Sequence, residues 1–392
     1  MLFPWENREM KLLFASDSFK GSLTSIQISE LLTRAAEEIF DEVECISVPV
    51  ADGGEGTVDA LIAATGGEKI FTSVHDPLGN VIEAGYGRIG DRRAVIEMAA
   101  ASGLTLVPEG KRNPLYTSSF GTGELILDAL NRGFDDIYIA IGGSATNDGG
   151  MGCARALGIS FLDQDGNPLE GRGIDLEAAR TIDLTGLDPR IHSANITVMC
   201  DVTNPLCGEK GATYTFGEQK GATRQIMERL EDGMCNYRDV IRKQLNVDPD
   251  QISGGGAAGG LGTALSVFLG GKMRSGIETV LDLADFDRKL EGVDFIITGE
   301  GRTDLQSSFG KVMMGVGERG RAKGIPVIGL SGSLGPGAEQ IYEHGISTML
   351  TIIDSPMTLD EAMKRAEELY FSAAKRLFRL IRISGEKETD DI

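Results

Sequence analysis

Short apolar runs recur at both ends of the chain, each followed by a polar, glycine-rich loop and then by apolar residues at helical spacing. Lys11 to Ala15 is the first run, and Ser16-Asp17-Ser18-Phe19-Lys20-Gly21-Ser22 turns it. Ile26, Ile28, Leu31, Leu32, Ala35 and Ile39 then predict a helix, capped by Ser22 or Thr24. The cycle repeats with Val43 to Val50, the loop Ala51-Asp52-Gly53-Gly54-Glu55-Gly56-Thr57, and a helix over Val58 to Ala64. It returns after about Asp287, with strands at Phe295–Ile297, Val327–Leu330 and Met349–Ile353 and a long helix from Leu359 to Ile383. Successive strand–loop–helix units predict a doubly wound parallel sheet.

Between the two ends the pattern changes. Lys69–Val74, Val81–Tyr86 and Arg93–Met98 alternate apolar and polar residues, and Asp76-Pro77-Leu78-Gly79-Asn80 is a turn signal between the first two. This predicts an antiparallel meander and departure into a second domain. Further on come a helix over Gly121–Asn131, strands at Ile137–Ile141 and Ile196–Cys200, and an amphipathic helix over Thr223–Leu245. The expected fold class is α/β with two domains. Residues 10–66 and 287–383 form a doubly wound domain from both chain ends, and residues 67–286 form an inserted mixed α/β domain. Residues 1–9 are expected as a disordered extension and 384–392 as a disordered tail. Ligands usually bind in a cleft between such domains.

Composition adds limits. A chain of 392 residues can fill two domains at roughly 150 residues each. With 41% hydrophobic and 25% charged residues it reads as an ordinary globular protein. A net charge of −21 disfavours nucleic acid or an anionic membrane as partner. It does not disfavour anionic small molecules, because local cations can dominate a site. The five cysteines, Cys45, Cys153, Cys200, Cys207 and Cys235, show no C-x-x-C spacing. They suggest a reducing compartment and no structural zinc. Residues 1–10 lack the apolar core of a secretory signal, and no run approaches the ~18 apolar residues of a membrane span. The expected location is the cytoplasm, and a homo-oligomer stays open.

The loops carry the candidate chemistry. No G-x-x-x-x-G-K-[ST] motif is present, and Gly254–Gly262 fits G-x-G-x-x-G only weakly because no clear strand precedes it. What recurs is an acidic or polar residue just after a strand: Asp17, Asp52 with Glu55, Asn147 with Asp148, Asp201, and Glu300 with Asp304. A single such loop is explained by helix capping. Five converging on one place would suit phosphoryl transfer, which needs backbone amides and lysine on phosphate and carboxylates on a divalent cation. His75, His192 and His344 show no metal spacing, and Ser18 and Ser331 lack a G-x-S-x-G elbow.

Four motifs together resemble the bacterial glycerate kinase family of the glycerate 2-kinase type. They are Asp17–Ser22, Ala51–Thr57, Ile141–Gly150 and Thr298-Gly299-Glu300-Gly301-Arg302, with Asn113-Pro114, Phe120–Glu124 and Phe216–Ala222 in support. The resemblance runs from about Met10 to Ile383, and long motifs in one order make it specific. Ser16, where proline is usual, and Ser307, where threonine is usual, are small departures. The resemblance implies a flavodoxin-like domain built from both termini with an inserted domain. It also implies ATP- and Mg²⁺-dependent phosphorylation of D-glycerate, giving 2-phosphoglycerate and ADP. Phosphorylation of the 3-hydroxyl or of another small hydroxy acid is an alternative, and so is a non-catalytic regulator that binds nucleotide or metabolite. Under the resemblance Lys20, Asp52, Asp201, Glu300 and Lys311 are the expected catalytic residues. Ser18, Asn147 and Arg302 would hold substrate, and Ser22, Gly53, Gly54, Gly255, Gly256 and Gly301 the nucleotide. Asp201, Glu300 and Asp304 are the expected Mg²⁺ ligands.

Overall fold

The computed structural model describes residues 9–308 and 310–386, with side chains in the last helix to 383. The extension expected over the first residues and the end of the expected tail lie outside this range. Along the chain the strands are β1 (Met10–Phe14), β2 (Val43–Ser47), β3 (Glu68–His75), β4 (Val81–Ile89), β5 (Arg93–Glu97), β6 (Asp136–Ala140), β7 (Ser160–Leu162), β8 (Thr181–Asp183), β9 (Asn195–Met199), β10 (Lys272–Arg274), β11 (Phe295–Thr298), β12 (Val327–Ser331) and β13 (Ile346–Thr351). The chain forms two compact units. One holds the residues up to Asp52, Asp59–Gly66 and the residues from Gly276 onward; the other holds Gly53–Val58 and Gly67–Ser275.

In the terminal unit five parallel strands lie in the order β13-β12-β11-β1-β2. Numbered along this unit alone and read from β2, the order is 2-1-3-4-5, the flavodoxin-like arrangement. Its central strands β1, β11 and β12 are buried and apolar on both faces because helices cover both. Leu12 and Phe14 join the cluster of Ile28, Leu32, Tyr370 and Phe378, contributed by the helices Ser25–Glu37 and Ala366–Glu386. Ile296, paired with Leu13, meets the helix Val312–Lys323 at Gly320. Thr24 caps the first helix in a capping box with Gln27.

Two expectations shift here. The single helix expected over Leu359–Ile383 is two, Leu359–Lys364 and Ala366–Glu386, because Arg365 leaves helical geometry between them. The second continues through Ser384, where a tail is expected. The terminal unit resumes at Gly276, ahead of Asp287. The helix Gly276–Leu283 packs Ile277 against Gly315, and Arg319 pairs with Glu278, Asp282 (2.8 Å) and Asp287 (2.5 Å).

In the inserted unit six strands lie in the order β10-β9-β6-β5-β4-β3. β3, β4 and β5 form the antiparallel meander, and β5, β6, β9 and β10 run parallel. Its core holds Tyr86, Phe134, Phe161, Tyr237 and Phe268. The glycine run Gly254–Gly262 opens the helix Ala257–Leu269 through left-handed residues at Ala258, Gly259 and Gly260. A Cβ at Gly259 would lie 2.0 Å from the Thr146 carbonyl oxygen, so this run is shaped by packing on the Thr146–Gly150 loop. Among the described residues no helix is long and apolar enough to cross a membrane.

Candidate active site

In the terminal unit the strand order reverses between β1 and β11, the switch point where loops at the carboxyl ends of open sheets leave room for a ligand. Hydrogen bonds lace these loops together. The Ala15 amide donates to Ile297 O (2.8 Å), the Asp17 amide to Gly299 O (2.9 Å), and the Thr298 hydroxyl to Ala15 O (2.7 Å). The loop after β12 is tied in by the Gly332 amide on Glu300 O (3.1 Å) and the Thr303 amide on Ser333 O (3.0 Å). The result is a pocket of about 490 Å³ with two kinds of wall. Asp17, Ser18, Lys20, Ser22, Asp52, Glu300, Gly301, Arg302, Lys311, Gly332 and Ser333 form the polar side. Ile352, Ile353, Met357, Leu359, Ala362, Met363 and Ala366 form the apolar side.

The polar wall is rich in negative charge at close quarters. Burial pushes the Asp17 carboxyl up to about 7, and Asp52 and Glu300 push the same way, against the Ser18 amide and Lys20. Burial also raises Glu300, while the Ser307 hydroxyl, Lys311 and the Thr303 hydroxyl pull it down. Glu300 is 7% exposed, and its Oε1 is buried without a hydrogen-bond partner. A buried carboxylate oxygen left unpaired is costly unless a proton or cation reaches it. This donor set, hard oxygens with one orphaned, fits a divalent cation such as Mg²⁺.

The model of the glycerate kinase family matches residues 12–382. Escherichia coli K12 glycerate 2-kinase is 46% identical over 369 residues, covering 94% of this chain and 97% of that protein. Halalkalibacterium halodurans glycerate kinase is 44% identical over 367 residues, covering 93% and 97%. A crystal structure from Salmonella typhimurium LT2, described provisionally as glycerate kinase 2, superposes with a TM-score of 0.86 at 43% identity, covering 96% of this chain and 99% of that one. The chain belongs to the glycerate kinase family. It is an enzyme, a kinase.

Of the residues expected at the site, Ser18, Lys20, Ser22, Asp52, Glu300, Gly301, Arg302 and Lys311 line this one pocket of the kinase. Asp304 does not line it; its Oδ2 lies 3.3 Å from the Arg302 Nε, and its Oδ1 accepts the Gln306 amide (3.0 Å). Gly53, Gly54, Asn147, Asp201, Gly255 and Gly256 belong to the inserted unit. There β6 and β9 lie side by side, so the loops bearing Asn147 and Asp201 leave neighbouring strand ends. Asn147 is buried, donates from Nδ2 to the Thr213 hydroxyl (3.1 Å) and keeps Oδ1 without a partner. Asp201 is exposed. The amides of Gly255 and Gly256 donate to Ile252 O and Asn204 O (2.9 Å each), so they are already bonded inside the protein rather than turned toward a phosphate.

Asp148 is a loop brace. It accepts the Ser119 amide and hydroxyl (2.7 Å each), the Gly150 amide (3.0 Å) and the Gly152 amide (3.3 Å). Sequence reasoning counted Asp17 among the acidic residues that follow strands but assigned it no part in the reaction, and it gave none to Gly332, Ser333 or the apolar wall. Gly332 and Ser333 directly follow a strand and were visible on that ground. The apolar wall comes from a strand end and two helices, with no motif to announce it.

Proposed function

We propose that this kinase transfers the γ-phosphoryl group of ATP to the 2-hydroxyl of D-glycerate, giving 2-phosphoglycerate and ADP, with Mg²⁺ as cofactor. The observation that carries this reading is one pocket in which Asp17, Asp52 and Glu300 meet Lys20 and Lys311. Family membership supports glycerate as the acceptor, and the description of the E. coli relative as a 2-kinase supports the 2-hydroxyl. Phosphoryl transfer depends mainly on positioning and on offsetting charge, so these groups have distinct work. Lys20 and Lys311 pair with phosphate oxygens, and Ser18 and Ser22 add hydroxyl donors. Arg302, exposed at the rim, presents a planar fork to the glycerate carboxylate. Asp17, poised near neutrality, accepts the proton of the attacking hydroxyl. Glu300 and Asp52 would hold Mg²⁺, which when bound offsets the charge of the phosphate oxygens. The apolar wall suits an uncharged ring system such as a nucleobase and keeps water from that side.

The test is ADP release with D-glycerate, followed by addition of enolase without mutase. Enolase consumes 2-phosphoglycerate directly, so enolpyruvate phosphate forms at once under this reading. Product that stays inert until a mutase is added would show phosphorylation of the 3-hydroxyl instead. If Asp52→Ala, Glu300→Ala and Lys311→Ala each kept near-native turnover, the pocket would not be the site of chemistry.

A further inference from the structure

The long helix Arg224–Leu245 of the inserted unit carries Glu231 and Cys235 one turn apart, so both side chains stand on one face. The loop after β9 brings Cys207 to that face. The two sulfur atoms and a Glu231 carboxylate oxygen all lie within 4.8 Å of one another. Glu231 is 7% exposed, although a carboxylate is rarely buried without a partner for each oxygen. Its Oε1 accepts the Gly208 amide (2.6 Å) and the Cys235 thiol (3.7 Å). Its Oε2 is buried and has no partner. The Cys207 amide donates to Asp250 Oδ1 (3.2 Å), and Arg238 pairs with Asp250 at 3.3 Å.

We propose that Cys207, Cys235 and Glu231 form a binding site for a thiolate-seeking divalent metal of the Zn²⁺ class, separate from the pocket of the terminal unit. Two sulfurs and one carboxylate oxygen are a donor set zinc accepts, with water in a fourth position. Thiolates at roughly 2.3 Å from zinc sit ~3.8 Å apart along a tetrahedral edge, so the observed spacing needs only a small contraction. Binding converts two thiols to thiolates and releases two protons. The ion with two thiolates and one carboxylate then carries a net charge of −1, close to Arg238, which also pairs with Asp239 and Asp250. The orphaned Glu231 oxygen gains the partner it lacks. The site ties the Leu206–Gly211 loop to the long helix, a structural role independent of the kinase reaction. The two cysteines stand 28 positions apart in sequence (207 and 235), so the absence of C-x-x-C spacing concealed them.

The full chain, reduced and stripped with a chelator, is titrated with Zn²⁺ and separately with Co²⁺ as a spectroscopic stand-in. The expected result is one ion per chain, release of two protons per Zn²⁺, and a thiolate-to-cobalt charge-transfer band. Cys235→Ser and the isosteric Glu231→Gln are each expected to weaken binding by roughly tenfold or more. Circular dichroism checks that both are folded; should Cys235→Ser fail to fold, Glu231→Gln and the cobalt band of the parent chain decide. Binding weaker than roughly micromolar, absence of the cobalt band, or unchanged affinity in folded variants would overturn the site. So would a mass two hydrogens short in the untreated chain, which would assign Cys207 and Cys235 to a disulfide.

Discussion

Gly299 offers a direct test of whether the switch-point geometry matters, because its constraint is space and not backbone conformation. A Cβ there would lie 2.0 Å from the Leu330 carbonyl oxygen and 2.9 Å from its carbon. Carbon and oxygen ordinarily approach to roughly 3.3 Å, so Gly299→Ala must move the end of β11 more than about 1 Å from β12. The next residue is Glu300, and the Gly299 carbonyl accepts the Asp17 amide at 2.9 Å. The shift therefore displaces two of the three carboxylates at once. Overpacking of this kind costs about 1–3 kcal/mol, and each kcal/mol lowers Tm by roughly 2–4 °C in a unit of this size. Displacement by ~1 Å typically costs about a hundredfold in rate, or ~2.7 kcal/mol of barrier. The assay is kcat/KM for glycerate-dependent ADP release, measured well below the Tm of the variant. Gly110→Ala is the control, since nothing lies within 4 Å of a Cβ there. Expected are a near-neutral Gly110→Ala and a Gly299→Ala enzyme that folds but turns over about two orders of magnitude more slowly. A folded Gly299→Ala enzyme with parental kcat/KM would refute the assignment of this loop to the chemistry.

Three other outcomes are expected. Asp17 ionises only as pH rises through about 7, so kcat/KM should climb through that pH. Asp17→Asn should remove this limb and lower the rate by roughly 10²–10⁴, while Asp52→Asn, by deleting one cause of the raised value, should move the limb to lower pH. Lys220 is buried and donates from Nζ to Thr146 O (2.6 Å), and burial lowers it from 10.5 to about 7. Between those values the unfolded chain binds more protons than the folded one, so stability rises with pH across about 7 to 10.5. Denaturant titrations should show this slope in the parent and a flatter one in Lys220→Met; parallel curves would refute it. Asp148→Ala leaves three amides and a hydroxyl without their acceptor, so it should cost about 3–5 kcal/mol of stability by urea unfolding.

Much of the terminal unit was legible because a buried parallel strand has an unmistakable sequence form. Phe295–Ile297 and Val327–Leu330 are apolar on both faces because helices cover both, and the loops that follow begin at once with glycine or serine. The edge strand β2 is half-exposed and was placed three residues too long, since Val48 and Val50 are buried outside it. The helix Gly276–Leu283 escaped notice because its anchor is Arg319, forty residues on in the chain by roughly that count, and one-dimensional patterns do not register such pairing.

The same limit explains which site residues were legible. In sequence, Asp148 and Glu300 look alike: each is an acidic residue in a glycine-rich loop just beyond a strand. What separates them is where the nearby amides and hydroxyls point. The loop around Asp148 curls so that three amides and the Ser119 hydroxyl close on its carboxylate, which leaves it no capacity for a ligand. The loop around Glu300 offers its amides to the neighbouring strand loops, and one carboxylate oxygen remains buried and unmatched. Glu231 has the same unmatched oxygen without any glycine-rich loop, lying instead in mid-helix beside two sulfurs. The mark of a ligand site in this chain is thus not the acidic residue or its glycines. What Glu300 and Glu231 share is a buried carboxylate oxygen that the protein itself leaves unbonded, and that property exists only once the backbone donors have taken their places.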